Sequence, residues 1–209
     1  MIISYAITVC DEFLEIQRLV TLLINNKRDV DEIVVLVDLT KNQPTSELLG
    51  YLHKLSSNNH ITLVEDKFND NFADWKNRLT NSCIGDYIFQ IDADEYPNLT
   101  LLNNLPAMLD LNPNVEVYRV SRINTVEGLT KEHIKKWGWV VSDKDIINFP
   151  DPQWRIYKNT PSIRWKNKVH EVLEGYKVHS DLPYVEEWCL YHPKDIKRQE
   201  KQNNYYKTL

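Results

Sequence analysis

Two hydrophobic rhythms alternate along the first half of the chain. Ile2 to Val9 is an apolar run rich in β-branched residues, short for a helix and suited to a buried strand. Phe13, Ile16, Leu19, Val20, Leu23 and Ile24 then recur at helical spacing, with Asp11 placed to cap the helix N-terminus. The pair repeats: strand Ile33 to Val37, helix Ser46 to Leu55, strand Ile61 to Val64, helix Phe72 to Asn81, strand Tyr87 to Ile91. Short apolar strands alternating with helices predict an α/β fold whose parallel sheet is covered on both faces.

Beyond residue 97 the rhythm changes. Leu99 to Leu111 reads as a helix stopped at Asn112-Pro113, and Val115 to Ile123 alternates as a half-exposed strand does. Residues 125 to 150 are polar, aromatic and irregular, the composition of a loop over a site. Gln153 to Lys158 and Ser162 to Lys166 read as a hairpin turning at Asn159-Thr160-Pro161. Residues 194 to 207 read as a polar, basic helix, which is ordinarily a solvated one; docking to anionic lipid or a partner is the alternative. There is neither an internal repeat nor a flexible linker, so one domain over 1–209 is the economical reading.

Composition narrows the function classes. With 42% hydrophobic and 26% charged residues in 209, the chain has the makings of a folded core. A formal charge of -5 argues against a nucleic-acid partner. Cys10, Cys83 and Cys189 are scattered and odd in number, which suggests neither a disulfide framework nor a zinc finger. The start lacks the basic segment and apolar stretch of a signal peptide, and no window approaches the roughly 20 apolar residues of a membrane span. A cytoplasmic protein with reduced thiols is expected.

In a sheet of this kind ligands gather at the carboxyl ends of the strands. Polar residues stand there: Thr8 with Asp11, Asp38, Glu65 with Asp66, and Asp92 with Asp94. The last pair is the most telling. Tyr87-Ile88-Phe89-Gln90-Ile91 runs straight into Asp92-Ala93-Asp94-Glu95, and like charges packed so tightly need a cation or proton to relieve them. A hard divalent ion, Mn²⁺ or Mg²⁺, held through one or two carboxylates plus substrate phosphates meets that need.

Read together, Phe72-Ala73-Asp74-Trp75-Lys76-Asn77, Gly85-Asp86-Tyr87-Ile88 and Asp92-Ala93-Asp94-Glu95 resemble family 2 glycosyltransferases of the GT-A fold. The similarity is strongest to the small bacterial and viral branch that transfers sugars onto lipopolysaccharide or surface glycans. Ala6-Ile7-Thr8-Val9-Cys10-Asp11-Glu12 matches the family's first strand, with Asp11 in place of its usual asparagine. Asp151-Pro152-Gln153-Trp154-Arg155-Ile156-Tyr157-Lys158, Val169-His170-Glu171 and Leu190-Tyr191-His192 match later motifs of that branch.

The resemblance implies a mostly parallel, Rossmann-like mixed sheet flanked by helices, with a nucleotide-sugar half (1–95), an acceptor half (96–192) and a helical tail (193–209). It implies that Thr8, Asp11 and Asp38 hold the uracil and ribose of a UDP-sugar, although Leu39 departs from the family's second polar residue and leaves another base open. Lys76, and in some readings Arg155, would meet the diphosphate, Asp92 the ribose, and Asp94 the metal, with His170 and His192 completing the metal site or touching phosphate. The acceptor would be a glycan, glycolipid or glycoprotein, with peripheral contact to a membrane allowed. An inverting mechanism needs a carboxylate to take the acceptor's proton. Asp151 and Glu171 are the candidates; if 169 to 172 is a strand, His170 and Glu171 face opposite ways, which favours Asp151. Trp137 and Trp139 either stack on sugar or cover the edge of the core. The competing classes are a nucleotidyltransferase, which would want a glycine-rich loop after the first strand, and a binding module without turnover.

Overall fold

The apolar runs of the first half pair edge to edge. The structure is a computed structural model that describes residues 1–40 and 44–206, with side chains through residue 203. Strands β1 (Ile3–Val9), β2 (Glu32–Asp38), β3 (Thr62–Asp66) and β4 (Tyr87–Asp92) are separated by helices α1 (Phe13–Asn26), α2 (Ser46–Ser57) and α3 (Phe72–Asn81), close to the predicted bounds. They lie in the order β3-β2-β1-β4, all parallel. On α1 the residues that are buried are Ile16, Leu19, Val20 and Leu23, one stripe of the predicted pattern.

The second half extends the same sheet. After a two-residue strand β5 (Tyr96–Pro97) and helix α4 (Leu99–Leu111) come β6 (Val117–Glu127), α5 (Lys131–Trp137) and β7 (Pro152–Lys158). They are followed by β8 (Arg164–Lys166), β9 (Val172–Glu174), β10 (His179–Asp181), β11 (Leu190–Asp195) and α6 (Ile196–Tyr206). The order continues β4-β7-β6-β11-β5, with β10 also on β6. β7 runs antiparallel to both β4 and β6, and β11 runs parallel to β6. It follows that β6 and β11 point the same way as β1 and β4.

One apolar cluster joins α1, α2 and α4 to one sheet face; a second joins α3, Ile163, Trp165 and Leu173 to the other. Gly85 sits where the chain enters β4 against β1: a Cβ there would stand 2.6 Å from Ser4 Oγ, which only glycine avoids.

Four expectations change. The hairpin of 153–158 with 162–166 does not form, because both edges of β7 are taken by β4 and β6; β8 pairs instead with β9 as a separate two-stranded sheet. Gly175, at φ +86°, lets β9 pass Ser162, whose carbonyl lies 1.8 Å from the position of a Cβ. β6 is not half-exposed: flanked by strands on both sides, it buries Val117, Tyr118, Val120, Ser121 and Ile123. Within 125–150, β6 runs on to Glu127 and α5 forms, capped by Thr130 and His133. Finally, Asp11 is not the cap of α1. Glu12 occupies that position, and its Oε2 accepts from the backbone N–H groups of Cys10 (2.8 Å) and Asp11 (3.1 Å).

Candidate active site

Strand direction collects the chemistry at one edge. The carboxyl ends of β1, β2, β4, β6 and β11 and the amino end of β7 share that edge, so Thr8, Asp38, Asp92, Asn124, His192 and Asp151 arrive together. They line a cavity of about 980 Å³ with Lys76, Asp94, Arg155, His170 and Glu171. The size suits a ligand larger than a free sugar. Of the residues singled out in the sequence, Asp11, Glu65, Asp66 and Trp137 are absent from this lining; Asp11 lies 3.8 Å from Lys201 Nζ, while its neighbour Glu12 does line the cavity.

The floor is an ion cluster. Arg155, 3% exposed, donates from Nη2 to Asp92 Oδ2 (2.8 Å) and to Glu95 Oε1 (2.6 Å), and Glu95 is fully buried. A break in strand register aims this arginine. Tyr118 pairs with Ile156 and Arg119 with Trp154, leaving Arg155 as the extra residue of a bulge. Such a bulge interrupts the alternation of side chains, and Trp154 and Arg155 both line the cavity. Burial pushes the carboxyl of Asp92 up, but Arg155 and then Lys76 pull it down further, so it stays ionised. Arg155 thus pairs with two carboxylates and holds Asp92 in place.

A hydrogen-bonded relay leads from the floor to the second carboxylate. Asp151 Oδ2 accepts from Arg122 Nε (2.8 Å) and Asn124 Nδ2 (2.8 Å), and Oδ1 accepts from Gln153 Nε2 (2.6 Å). Asn124 and His192 are register partners on β6 and β11, and Asn124 Oδ1 lies 2.6 Å from His192 Nδ1. With the amide nitrogen given to Asp151, that oxygen accepts from Nδ1–H and leaves Nε2 facing Asp94 Oδ2 at 3.3 Å. One hard oxygen and one imidazole nitrogen of fixed tautomer fit a Mn²⁺-like ion that takes its other positions from phosphate and water. His170 stands on the loop before β9, among the residues lining the cavity. Its loop belongs to the opposite wall.

That wall is built on α3. The Phe72 N–H donates to Lys168 O (3.0 Å), which docks the loop before β9 on the start of the helix. Residues 169 to 171 are not a strand: His170 has φ +54°, β9 begins only at Val172, and both His170 and Glu171 line the cavity. The alternation that favoured Asp151 over Glu171 therefore does not apply. Lys76, 6% exposed, stands over the Trp165 ring at 4.5 Å and pairs with Glu171 Oε1 at 2.5 Å.

At the far end, Asp38 Oδ1 accepts from the backbone N–H groups of Thr40 (2.8 Å) and Phe68 (3.0 Å). Burial and then Glu12 push the thiol of Cys10 beside it up to about 12, which keeps it protonated at neutral pH. Trp139, from the segment after α5, lines the cavity; Trp137 packs on it (centroids 4.6 Å apart) and stacks on His133 (5.0 Å).

Several site residues escaped the sequence reading. Arg122 looked like an ordinary polar position of a half-exposed strand, and Asn124 fell just past its predicted end; the signal was an arginine inside an apolar run. The tail is not merely solvated. Arg198 on α6 binds Glu12 (2.9 Å) and Glu15 (2.8 Å) and reaches Asp94 Oδ2 at 3.5 Å, while Gln199 and Gln202 line the cavity.

These charges give stability a pH dependence. Burial raises Asp94, but the His192 contact and the Lys194 and Arg198 charges hold it well below the usual carboxylate range. Asp151, also raised by burial, is held down by Arg122 and its amide donors. A carboxylate with a depressed folded pKa adds stability above the unfolded value of about 4 and loses it as pH falls through that value and below. Glu12, raised by burial, contributes with the opposite sign, one group against three. The melting temperature should therefore drop steeply on acidification below about pH 4.5; a flat profile from pH 7 to 3 would contradict the assignment.

With this geometry in hand, comparisons with known proteins give the class. The family model for glycosyl transferase family 2 matches residues 4–173. The chain belongs to that family and has the GT-A fold. No curated protein matches it. Among solved structures, it is similar to S. aureus TarS 1-349 in complex with UDP-GlcNAc, with TM-score 0.61, 15% identity, and 93% of this chain covered against 59% of that one. The complex of the same TarS fragment with UDP gives TM-score 0.61 and 16% identity over 92% and 60% of the two chains. The chain thus spans about 60% of the length of those fragments, and at such identity the likeness concerns the fold. No helix among the described residues is long and apolar enough to cross a membrane.

Proposed function

We propose that the chain moves a sugar from a UDP-sugar to a hydroxyl of a glycan, glycolipid or glycoprotein acceptor, with inversion. The observation that carries this is the cavity itself: Thr8 and Asp38 at one end, Asp92, Asp94 and His192 at its middle, and an ion-paired glutamate on the wall. The bound UDP-GlcNAc and UDP of the TarS structures support a uridine nucleotide at the same sheet edge. In this reading residues 1–95 bind the donor, with the loop before α1 and Asp38 on uracil and ribose and Asp92 on ribose. Residues 96–192 shape the acceptor side, where Trp139 offers a face for sugar C–H groups. Asp94 and His192 would hold Mn²⁺ or Mg²⁺, which when bound supplies Lewis-acid stabilisation to the departing diphosphate. Lys76 lies between Asp92 and Glu171 as a point charge for the same group.

Glu171 is the base in this proposal. Both Asp151 oxygens already receive side-chain donors and its carboxyl is held below the usual range, so it is a weak acceptor for a proton. Glu171 Oε1 is committed to Lys76, which leaves Oε2 to meet an acceptor hydroxyl. As that hydroxyl oxygen bonds to the anomeric carbon, the bond from the anomeric carbon to the diphosphate oxygen breaks, UDP leaves, and Glu171 receives the proton. Glu171→Gln should lower kcat for transfer by roughly 10²- to 10⁴-fold while UDP still binds. Steady-state assays beside titrations with UDP check this. Full activity in Glu171→Gln with loss in Asp151→Asn would give the role to Asp151. If UDP neither binds nor raises the melting temperature with Mn²⁺ present, the donor reading itself fails.

A further inference from the structure

The C-terminal segment brings a third nitrogen to the Asp94 carboxylate. Besides His192 Nε2 at 3.3 Å and Arg198 Nη2 at 3.5 Å, Lys194 Nζ lies 3.7 Å from Asp94 Oδ2. The three differ in what else they hold. Arg198 is fixed by Glu12 and Glu15 and lies outside the cavity lining; His192 is tied to Asn124. Lys194 lines the cavity with only 7% of its side chain exposed. Among the described residues its ammonium hydrogen-bonds to an uncharged group, Gln202 Oε1, at 2.7 Å.

An ammonium has three donors. Here one goes to an amide oxygen, and the nearest carboxylate is beyond hydrogen-bond distance and shared with an arginine. Burying such a charge is costly unless something anionic completes its surroundings. Its place in the cavity beside Asp94, with Gln199 and Gln202 of α6 also on the lining, makes a phosphate oxygen the group that fits. The lysine is held from below by β11, where His192 and Lys194 are two residues apart and so face the same way. It is held from the side by α6 through Gln202.

We propose that Lys194 is a donor-binding residue that takes a non-bridging oxygen of the nucleoside diphosphate, and that α6 belongs to the donor site through Gln202. The inference rests on the donor reading above. It assigns the diphosphate a cation from the tail, on the far side of Asp94 from Lys76, so that the leaving group is gripped from two walls. It also predicts selectivity: the contact exists for a nucleotide and not for a nucleoside.

The test is calorimetric titration of the full chain, with Mn²⁺ present, against UDP and against uridine. Lys194→Met keeps the length and apolar stem of the side chain and removes the charge. It should weaken UDP about ten- to a hundredfold and leave uridine unchanged, and Lys194→Arg should restore most of the UDP affinity. Wild-type binding of both ligands by Lys194→Met overturns the inference and leaves the donor reading standing. Equal weakening of UDP and uridine also overturns it, since that is the mark of a distorted site. Failure of the wild-type chain to bind UDP overturns the donor reading and this inference with it.

Discussion

Asp94→Asn should abolish measurable sugar transfer, with kcat down on the order of 10³ while the chain stays folded. The asparagine keeps the size of the side chain and loses the charge on which His192, Lys194 and Arg198 converge. Any cation at this point would lose its one hard anionic ligand, since Asp92 is committed to Arg155. Stability should fall by only about 1–3 kcal/mol, because Arg198 retains Glu12 and Glu15 and His192 retains Asn124. Donor hydrolysis and transfer, measured beside thermal melts, separate the two effects. A variant with near-normal turnover would remove Asp94 from the chemistry.

Arg155→Met should give the largest loss of stability among the site residues, about 3–5 kcal/mol. The guanidinium is the shared partner of Asp92 and of Glu95, which is fully buried and whose further contacts among the described residues are the Asp92 N–H at 3.2 Å and Arg122 at 3.5 Å. Removing it leaves two neighbouring carboxylates without their shared cation, one of them, Glu95, fully buried. In a domain of this size that corresponds to a melting temperature roughly 6–20 °C lower. Activity should fall as well, because Asp92 loses its anchor. The double variant Arg155→Met with Glu95→Gln should recover part of the stability, since it removes one of the two uncompensated charges; urea unfolding measures both. A loss below about 1 kcal/mol would mean that water or another group reaches Glu95, and the description of the floor would be wrong.

Much of the donor side could be read without coordinates. β1 through α4 are local patterns: the helical stripe of α1, the apolar runs of β2 and β4, the acidic step at Asp92. Each depends on residues within a turn or a few positions of one another, so periodicity alone finds them. The strand-end rule then placed Thr8, Asp38 and Asp92 on one edge, and the structure puts all three on the cavity.

What failed was decided by partners distant in sequence. The pairing of β7 with β4 and β6, in place of β8, is a choice between edges that no local pattern encodes. The bulge that turns Arg155 toward Asp92 arises from the register of two strands 30 residues apart and more. His170 and Glu171 were sorted by an assumed strand, yet a left-handed residue and the docking of their loop on α3 set where they point. The basic tail looked solvated because the carboxylates that meet Arg198 lie far off in the chain, Glu12 186 residues away and Glu15 183. By itself, then, the sequence determined the elements, the family and the acidic centre, since those follow from hydrophobic period and residue type. The tertiary structure alone decided which cations meet which carboxylates, because an ion pair depends on proximity in space and on burial, and folding supplies both only once the distant strands have closed.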